Sequence, residues 1–224
     1  MATFVLIHGA WHGDWNWDRL VPQLEARGHV TMLAGYPQDR PGTTWETYSE
    51  SIVARLRGLP EPPIIVGHSL GAAIAAMVAA RTPVQLLIYL CPYTPFTDRL
   101  PEMPEPARPG AFDHVSEGDG FDWWEPADAI EFMYRHLDPE TAASAAQRLV
   151  RSTERGPYPL AQAPAVPSAY IYTSEDEFFA PDSCRWIARH MMHVEPIELP
   201  GGHFPQLERP DELAEVLSRL AGDS

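Results

Sequence analysis

Four short segments place reactive side chains where one reaction would use them together. Gly67-His68-Ser69-Leu70-Gly71 follows the apolar run Ile64-Ile65-Val66 and opens an alanine-rich stretch. In that setting G-x-S-x-G is a nucleophile elbow. Its glycines permit a sharp strand-to-helix turn, and the serine projects at a helix N-terminus, where the dipole favours developing negative charge. A serine hydroxyl is a weak nucleophile alone and needs a base and an orienting acid. His203, in Leu199-Pro200-Gly201-Gly202-His203-Phe204, lies in a glycine-bearing loop after the last apolar run and before the terminal helix. Asp176, in Thr173-Ser174-Glu175-Asp176-Glu177, follows the preceding run and is the preferred acid, with Glu175 and Glu177 as alternatives. The resulting chain order, serine then acid then histidine, is one that serine catalysis uses.

The fourth segment is His8-Gly9-Ala10-Trp11-His12-Gly13, at the end of the first apolar run. A backbone N–H there, that of Ala10, would join the N–H of Leu70 to hold the oxyanion of a tetrahedral intermediate. Taken singly, each segment has a plainer meaning: a glycine turn, a structural histidine, a solvated acidic run. All four fall at the ends of strand candidates, where open α/β sheets bind ligands, and that joint placement carries the argument.

Strand-length apolar runs position these segments: Thr3–His8, His29–Ala34, Ile64–Gly67, Val84–Leu90, Ser168–Thr173 and Val194–Leu199. Between them, helical character is predicted over Asp14–Arg27, Thr43–Arg57, Leu70–Arg81, Pro181–His190 and Pro210–Leu220. Continuous rather than alternating apolar runs suit strands covered on both faces, so the pattern predicts a mostly parallel, doubly wound α/β sheet of about six strands. Gly28 and Gly58 stand where helix C-caps favour positive φ.

The alternation stops between residues 91 and 167, a region bounded by prolines 95, 101, 104, 106 and 109 on one side and 157, 159, 164 and 167 on the other. Two helices are expected inside it, Pro126–Leu137 and Pro139–Arg151, the second capped by Asp138. Residues 1–94 and 165–224 then form one core, with 95–164 a small helical cap. Trp123, Trp124, Phe132 and Tyr134 argue against a disordered linker there. They are also candidates to line a substrate pocket, although packing within the cap is their plainer role.

Composition narrows the chemistry. The chain has 16 basic residues, all arginine, against 31 acidic ones, for a net charge of −15. With no lysine, a Schiff-base mechanism, a pyridoxal-phosphate anchor and a P-loop lysine are all excluded. The negative charge argues against nucleic acid. The uncharged stretch 62–80 is interrupted by Pro62, Pro63, Gly67, His68, Ser69 and Gly71, so a membrane span is not expected. Cys91 and Cys184 are too few for a disulfide framework and no secretory signal is visible, so a cytoplasmic protein is expected. His190 and His193 form a histidine pair without a third ligand, so neither a metal nor another cofactor is expected.

These motifs resemble the α/β-hydrolases, and more narrowly the methylesterase and hydroxynitrile lyase group with its small bacterial relatives. The resemblance rests on Phe4 to Gly13 with Trp15 and Trp17, on Gly67–Gly71, on the Thr173–Asp176 loop and on Gly202-His203. It covers roughly two thirds of the chain and fades over residues 97–163. It implies an α/β-hydrolase fold without the two N-terminal antiparallel strands of larger relatives, and a Ser69–His203–Asp176 triad. Family proline spacing suits Glu177 better, since Pro181 lies four residues beyond it, whereas the Thr-Ser-Glu-Asp context favours Asp176. The lyases of this group carry a threonine after the first-strand histidine and a lysine after the catalytic one; here those places hold Gly9 and Phe204.

The resulting expectation is a serine hydrolase acting on a carboxylic ester, thioester or lactone through an acyl-enzyme on Ser69. Its partner would be a small-molecule substrate, with a homodimer left open. Two alternatives stand beside it: a triad-bearing lyase or cyclase acting on a natural product, and a non-catalytic receptor on the same fold.

Overall fold

The computed structural model describes residues 1–96, 98, 100–153 and 155–222. The chain runs β1 (Thr3–Ile7), α1 (Val21–Ala26), β2 (Val30–Leu33), α2 (Trp45–Leu56), β3 (Ile64–His68), α3 (Leu70–Ala79) and β4 (Leu86–Leu90). An insertion follows, with β5 (Val115–Gly118), β6 (Phe121–Trp124), α4 (Pro126–Glu131), α5 (Pro139–Gln147) and β7 (Ser152–Thr153). The chain then closes with β8 (Ser168–Thr173), α6 (Pro181–His190), β9 (Ile197–Leu199), α7 (Pro205–Glu208) and α8 (Pro210–Gly222).

Six strands form one sheet in the order β2-β1-β3-β4-β8-β9, and every neighbouring pair is parallel. The uninterrupted apolar runs have a direct physical cause: successive side chains serve two different cores. Val5, Ile7 and Ile65 pack toward α2, α3 and α6, while Phe4, Leu6, Ile64 and Val66 pack toward α1 and α8. All ten residues of α3 are buried, which explains its alanine-rich composition. From β1 the chain first adds β2 on one side, then crosses to place β3 on the other. The strand order therefore reverses at β1 and β3, and the crevice outside their carboxyl ends is where such sheets bind ligands.

Two sequence expectations are corrected here. Helix Asp14–Arg27 is a 3₁₀ turn, Asp14–Trp17, followed by a short α1. Pro22, in the first turn of α1, has no N–H to continue a helix from upstream. The insertion is likewise not purely helical, because β5, β6 and β7 form an antiparallel sheet of their own. Its first hairpin turns at Asp119-Gly120, where φ is +54° and +77°. Positive φ at both turn positions is the type I′ geometry that an Asp-Gly pair favours, so this hairpin had a readable signal. The helix predicted to Leu137 ends at Glu131, and the one predicted to Arg151 ends at Gln147, with β7 following. Asp138 does cap α5, accepting from the Thr141 N–H at 2.9 Å.

No helix among the described residues is long and apolar enough to cross a membrane. Ile88, at the centre of β4, is fully buried. Its replacement by alanine should lower the unfolding free energy by about 2–5 kcal/mol, the usual cost of a large-to-small core change. Chemical denaturation should register this as a lower midpoint with an unchanged slope.

Candidate active site

The elbow forms because two backbones approach more closely than any side chain allows. A Cβ on Gly71 would lie 2.3 Å from the His8 carbonyl oxygen and 2.4 Å from that of Ile7. One on Gly67 would lie 2.5 Å from the Ala72 Cα. The turn from β3 into α3 is thus pressed against the end of β1. At its apex Ser69 has φ +51° and ψ −122°, a conformation that costs a non-glycine residue about 1–3 kcal/mol. Main-chain bonds hold it there: Ser69 N–H donates to Leu90 at 3.0 Å, and its carbonyl accepts from Ala72 at 3.0 Å and Tyr93 at 3.1 Å.

His203 sits in the loop between β9 and α7, with its ring nearly fully buried. Its Nδ1 lies 2.8 Å from Asp176 Oδ2. The other carboxylate oxygen of Asp176 accepts from the N–H groups of Phe178 and Phe179, at 2.8 and 2.9 Å. The acid is therefore fixed by its own turn, which leaves Oδ2 to orient the imidazole. With Nδ1 committed to Asp176, Nε2 is the ring nitrogen left for Ser69.

Ser69, His203, Ala10 and Leu70 all line one cavity of ≈ 610 Å³. Asp176 lies behind His203, 1% exposed. Glu175 is exposed, whereas Glu177 is buried and bonds to the backbone rather than the ring of His203. Cys91 brings its sulfur near Asp176 and His203, the three ligand atoms lying within 4.8 Å of one another. Burial and the Asp176 charge push the Cys91 thiol well up.

The four cap aromatics are placed differently from the expectation, since none of them lines the cavity. Trp123 bonds Glu125 and lies under the Arg151 guanidinium. Trp124 stacks on Phe132 at 5.6 Å, and both rings pack against Phe178, so they support the wall from behind. The Tyr134 hydroxyl reaches His12 Nε2 at 2.7 Å. Residues facing the cavity include Trp11, Trp45, Phe112, Met133, Phe178 and Phe179. Composition points to an aromatic insertion, but the directions of Trp123 and Trp124 are set by the β5–β6 hairpin, and Phe132 and Tyr134 lie beyond the end of α4.

Two further histidines that line the cavity are buried. His12 Nδ1 donates to the Ala10 carbonyl at 2.6 Å, so its Nε2 accepts from Tyr134. His68 Nε2 donates to the His203 carbonyl at 2.8 Å, which leaves its Nδ1 facing the Asn16 amide at 3.5 Å. Both patterns are those of neutral rings, and burial pushes His12 down to about 3 and His68 well below its ordinary value.

The chain belongs to the alpha/beta hydrolase family, whose model matches residues 4–216. Its relatives include an alpha-hydroxynitrile lyase of Arabidopsis thaliana, 28% identical over 98% of this chain and 97% of that one. Methylesterase 2 of the same plant is 27% identical over 97% of this chain and 95% of its own. Among solved structures, a pyrethroid hydrolase from Sphingobium faniae superposes with a TM-score of 0.82 at 24% identity, covering 99% of this chain and 97% of that one.

Two outcomes follow from this geometry. Gly71→Ala should abolish assembly of the elbow, because the displaced atoms are backbone; circular dichroism and active-site labelling should both fail to reach wild-type levels. His12 should also make the fold acid-sensitive. Above its unfolded value of 6.5 neither state is protonated, but below it only the unfolded chain takes up the proton until pH reaches about 3. Unfolding free energy should therefore fall as pH drops through that window, by up to about 1.4 kcal/mol per pH unit from this one group.

Proposed function

We propose that the protein is a serine hydrolase that cleaves a carboxylic ester, thioester or lactone through an acyl-enzyme on Ser69. The observation that carries this reading is the buried 2.8 Å His203–Asp176 contact behind the cavity shared by Ser69, Ala10 and Leu70. His203 Nε2 takes the Ser69 proton as Oγ attacks the carbonyl carbon. The N–H groups of Ala10 and Leu70 receive the oxyanion, and His203 returns the proton to the departing alcohol. Water, deprotonated by the same nitrogen, then releases the acid and restores Ser69.

The cavity falls within the usual size range for small-molecule sites, and its aromatic lining suits a bulky, largely apolar ester. The methylesterase and pyrethroid hydrolase relatives support hydrolysis. The hydroxynitrile lyase relative supports a second reading, lyase chemistry on the same triad. Two positions weigh against it. A Cβ at Gly9 would already lie 3.0 Å from the Ser69 Cβ and 3.1 Å from His68 Nδ1, so a threonine there would crowd the nucleophile. Phe204 sets its ring edge-on to His203 at 5.0 Å, where the lyases of the resembled group carry a lysine ammonium.

A fluorophosphonate should label the protein at Ser69, and p-nitrophenyl esters should turn over. Ser69→Ala should remove labelling and lower turnover by about 10⁶-fold, whereas Asp176→Asn should lower it by about 10⁴-fold with the serine retained. Labelling without turnover on a panel of esters would favour the lyase or cyclase reading. Absence of both would favour a receptor.

A further inference from the structure

Two adjacent carboxylates reach His203 and hold different parts of it. Asp176 takes the ring at Nδ1, whereas Glu177 Oε2 accepts from the His203 backbone N–H at 2.9 Å. The Glu177 side chain is fully buried, and its second oxygen lies 3.1 Å from His136 Nε2 and 3.2 Å from Arg135 Nε. Both side chains belong to the insertion, just after α4, and Arg135 Nε also donates to His136 Nε2 at 3.2 Å. A single buried carboxylate thus ties the insertion to the main chain of the catalytic histidine.

The rest of the loop is held with equal care. His68 Nε2 donates to the His203 carbonyl at 2.8 Å, and Glu208 Oε2 accepts from the Gly202 N–H at 2.8 Å. Space is closed as well: a Cβ on Gly202 would lie 2.7 Å from Glu177 Oε1 and 2.6 Å from His136 Cδ2. Burying a carboxylate is costly unless it is paired and hydrogen-bonded. Glu177 accepts a backbone N–H on Oε2, whereas its buried Oε1 accepts no hydrogen bond among the described residues and is met only at ion-pair distance by Arg135 and His136, so the seating of the insertion decides how well this carboxylate is compensated.

We propose that Glu177 is a positioning residue, one that sets the placement of the His203 imidazole over Ser69 and couples it to the seating of the insertion. This rests on the reading of His203 as the base that activates Ser69. A displacement of about 1 Å in a catalytic group can cost about 10²-fold in rate, and loss of the Glu177 bond frees the His203 main chain on one side. Glu177 also contributes charge. Asp176 and Glu177 face His203 from the loop after β8, His68 from the elbow, His12 from the loop after β1, and Cys91 from the end of β4. Arg135 and His136 face Glu177 from the insertion, and Glu208 faces Gly202 from α7. Removing the negative charge of Glu177 disfavours the imidazolium, so the ascending limb of the pH–rate profile should move to lower pH.

The test compares wild type, Glu177→Gln, Glu177→Leu and the double variant Arg135→Gln/His136→Gln. For each, the rate of fluorophosphonate labelling is followed across pH, kcat and KM are measured with a p-nitrophenyl ester, and rates are normalised to folded protein by thermal unfolding. Glu177→Leu should lower kcat per folded molecule by about 10²-fold with KM little changed. Glu177→Gln keeps an acceptor for the His203 N–H; it should lose less and should shift the ascending limb to lower pH. The double variant leaves the His203 bond in place and should raise KM more than it lowers kcat. Wild-type labelling rates and an unmoved pH limb in folded Glu177→Gln would overturn the proposal, even if Glu177→Leu failed to fold. Failure of the wild type itself to label would instead overturn the serine-hydrolase reading and remove this proposal's basis.

Discussion

The contact on which the rest depends is the one between two backbones, where the turn from β3 into α3 meets the end of β1. Gly67 and Gly71 remove the only side-chain atoms that would separate them. That closeness puts the N–H groups after β1 and after Ser69 on the same cavity, and it holds Ser69 in a conformation an isolated chain would avoid. Strain of this kind persists only where surrounding bonds over-determine it. Here they come from β4 and from the residues just beyond it, through Leu90 and Tyr93. The parallel sheet thus acts as the frame that keeps a serine poised.

Around that frame four buried imidazoles lie close together, and among the described residues only that of His203 has a carboxylate within hydrogen-bond distance. His8 donates to the Gly9 carbonyl, His12 to that of Ala10, and His68 to that of His203. Each of those partners is a neutral acceptor, which fixes the ring without stabilising a positive charge. His203 alone meets Asp176. A positive charge would therefore be supported at one ring, while the others link main-chain segments.

The sheet was legible because its cause is simple: strands covered on both faces must be apolar, as the runs in β1, β3 and β4 are, whereas the edge strands β2 and β9 are partly exposed and carry Thr31 and Glu198. The elbow was equally plain, since glycine at both flanking positions is a steric demand written as residue identity. The choice between Asp176 and Glu177 was less so. They are adjacent, follow the same strand, and differ only in which one the turn at Phe178 and Phe179 points toward the ring. The insertion was misread for a related reason. Its composition suggested helix, yet Asp119-Gly120 closes a hairpin that sends Trp123 and Trp124 to opposite sides. Neighbours along a strand cannot share a wall, so an aromatic pair in sequence did not become an aromatic pair in the cavity.

The loop after β8 divides its labour in a way that bears on how such a protein changes over time. Phe178 and Phe179 hold the Asp176 carboxylate with their main chains while presenting their rings to the cavity. Backbone donors survive almost any replacement, proline excepted. Drift at these two positions can therefore reshape the cavity without loosening the acid, but it also alters the packing on the His203 ring, which lies 4.7 Å from Phe178 and 5.5 Å from Phe179.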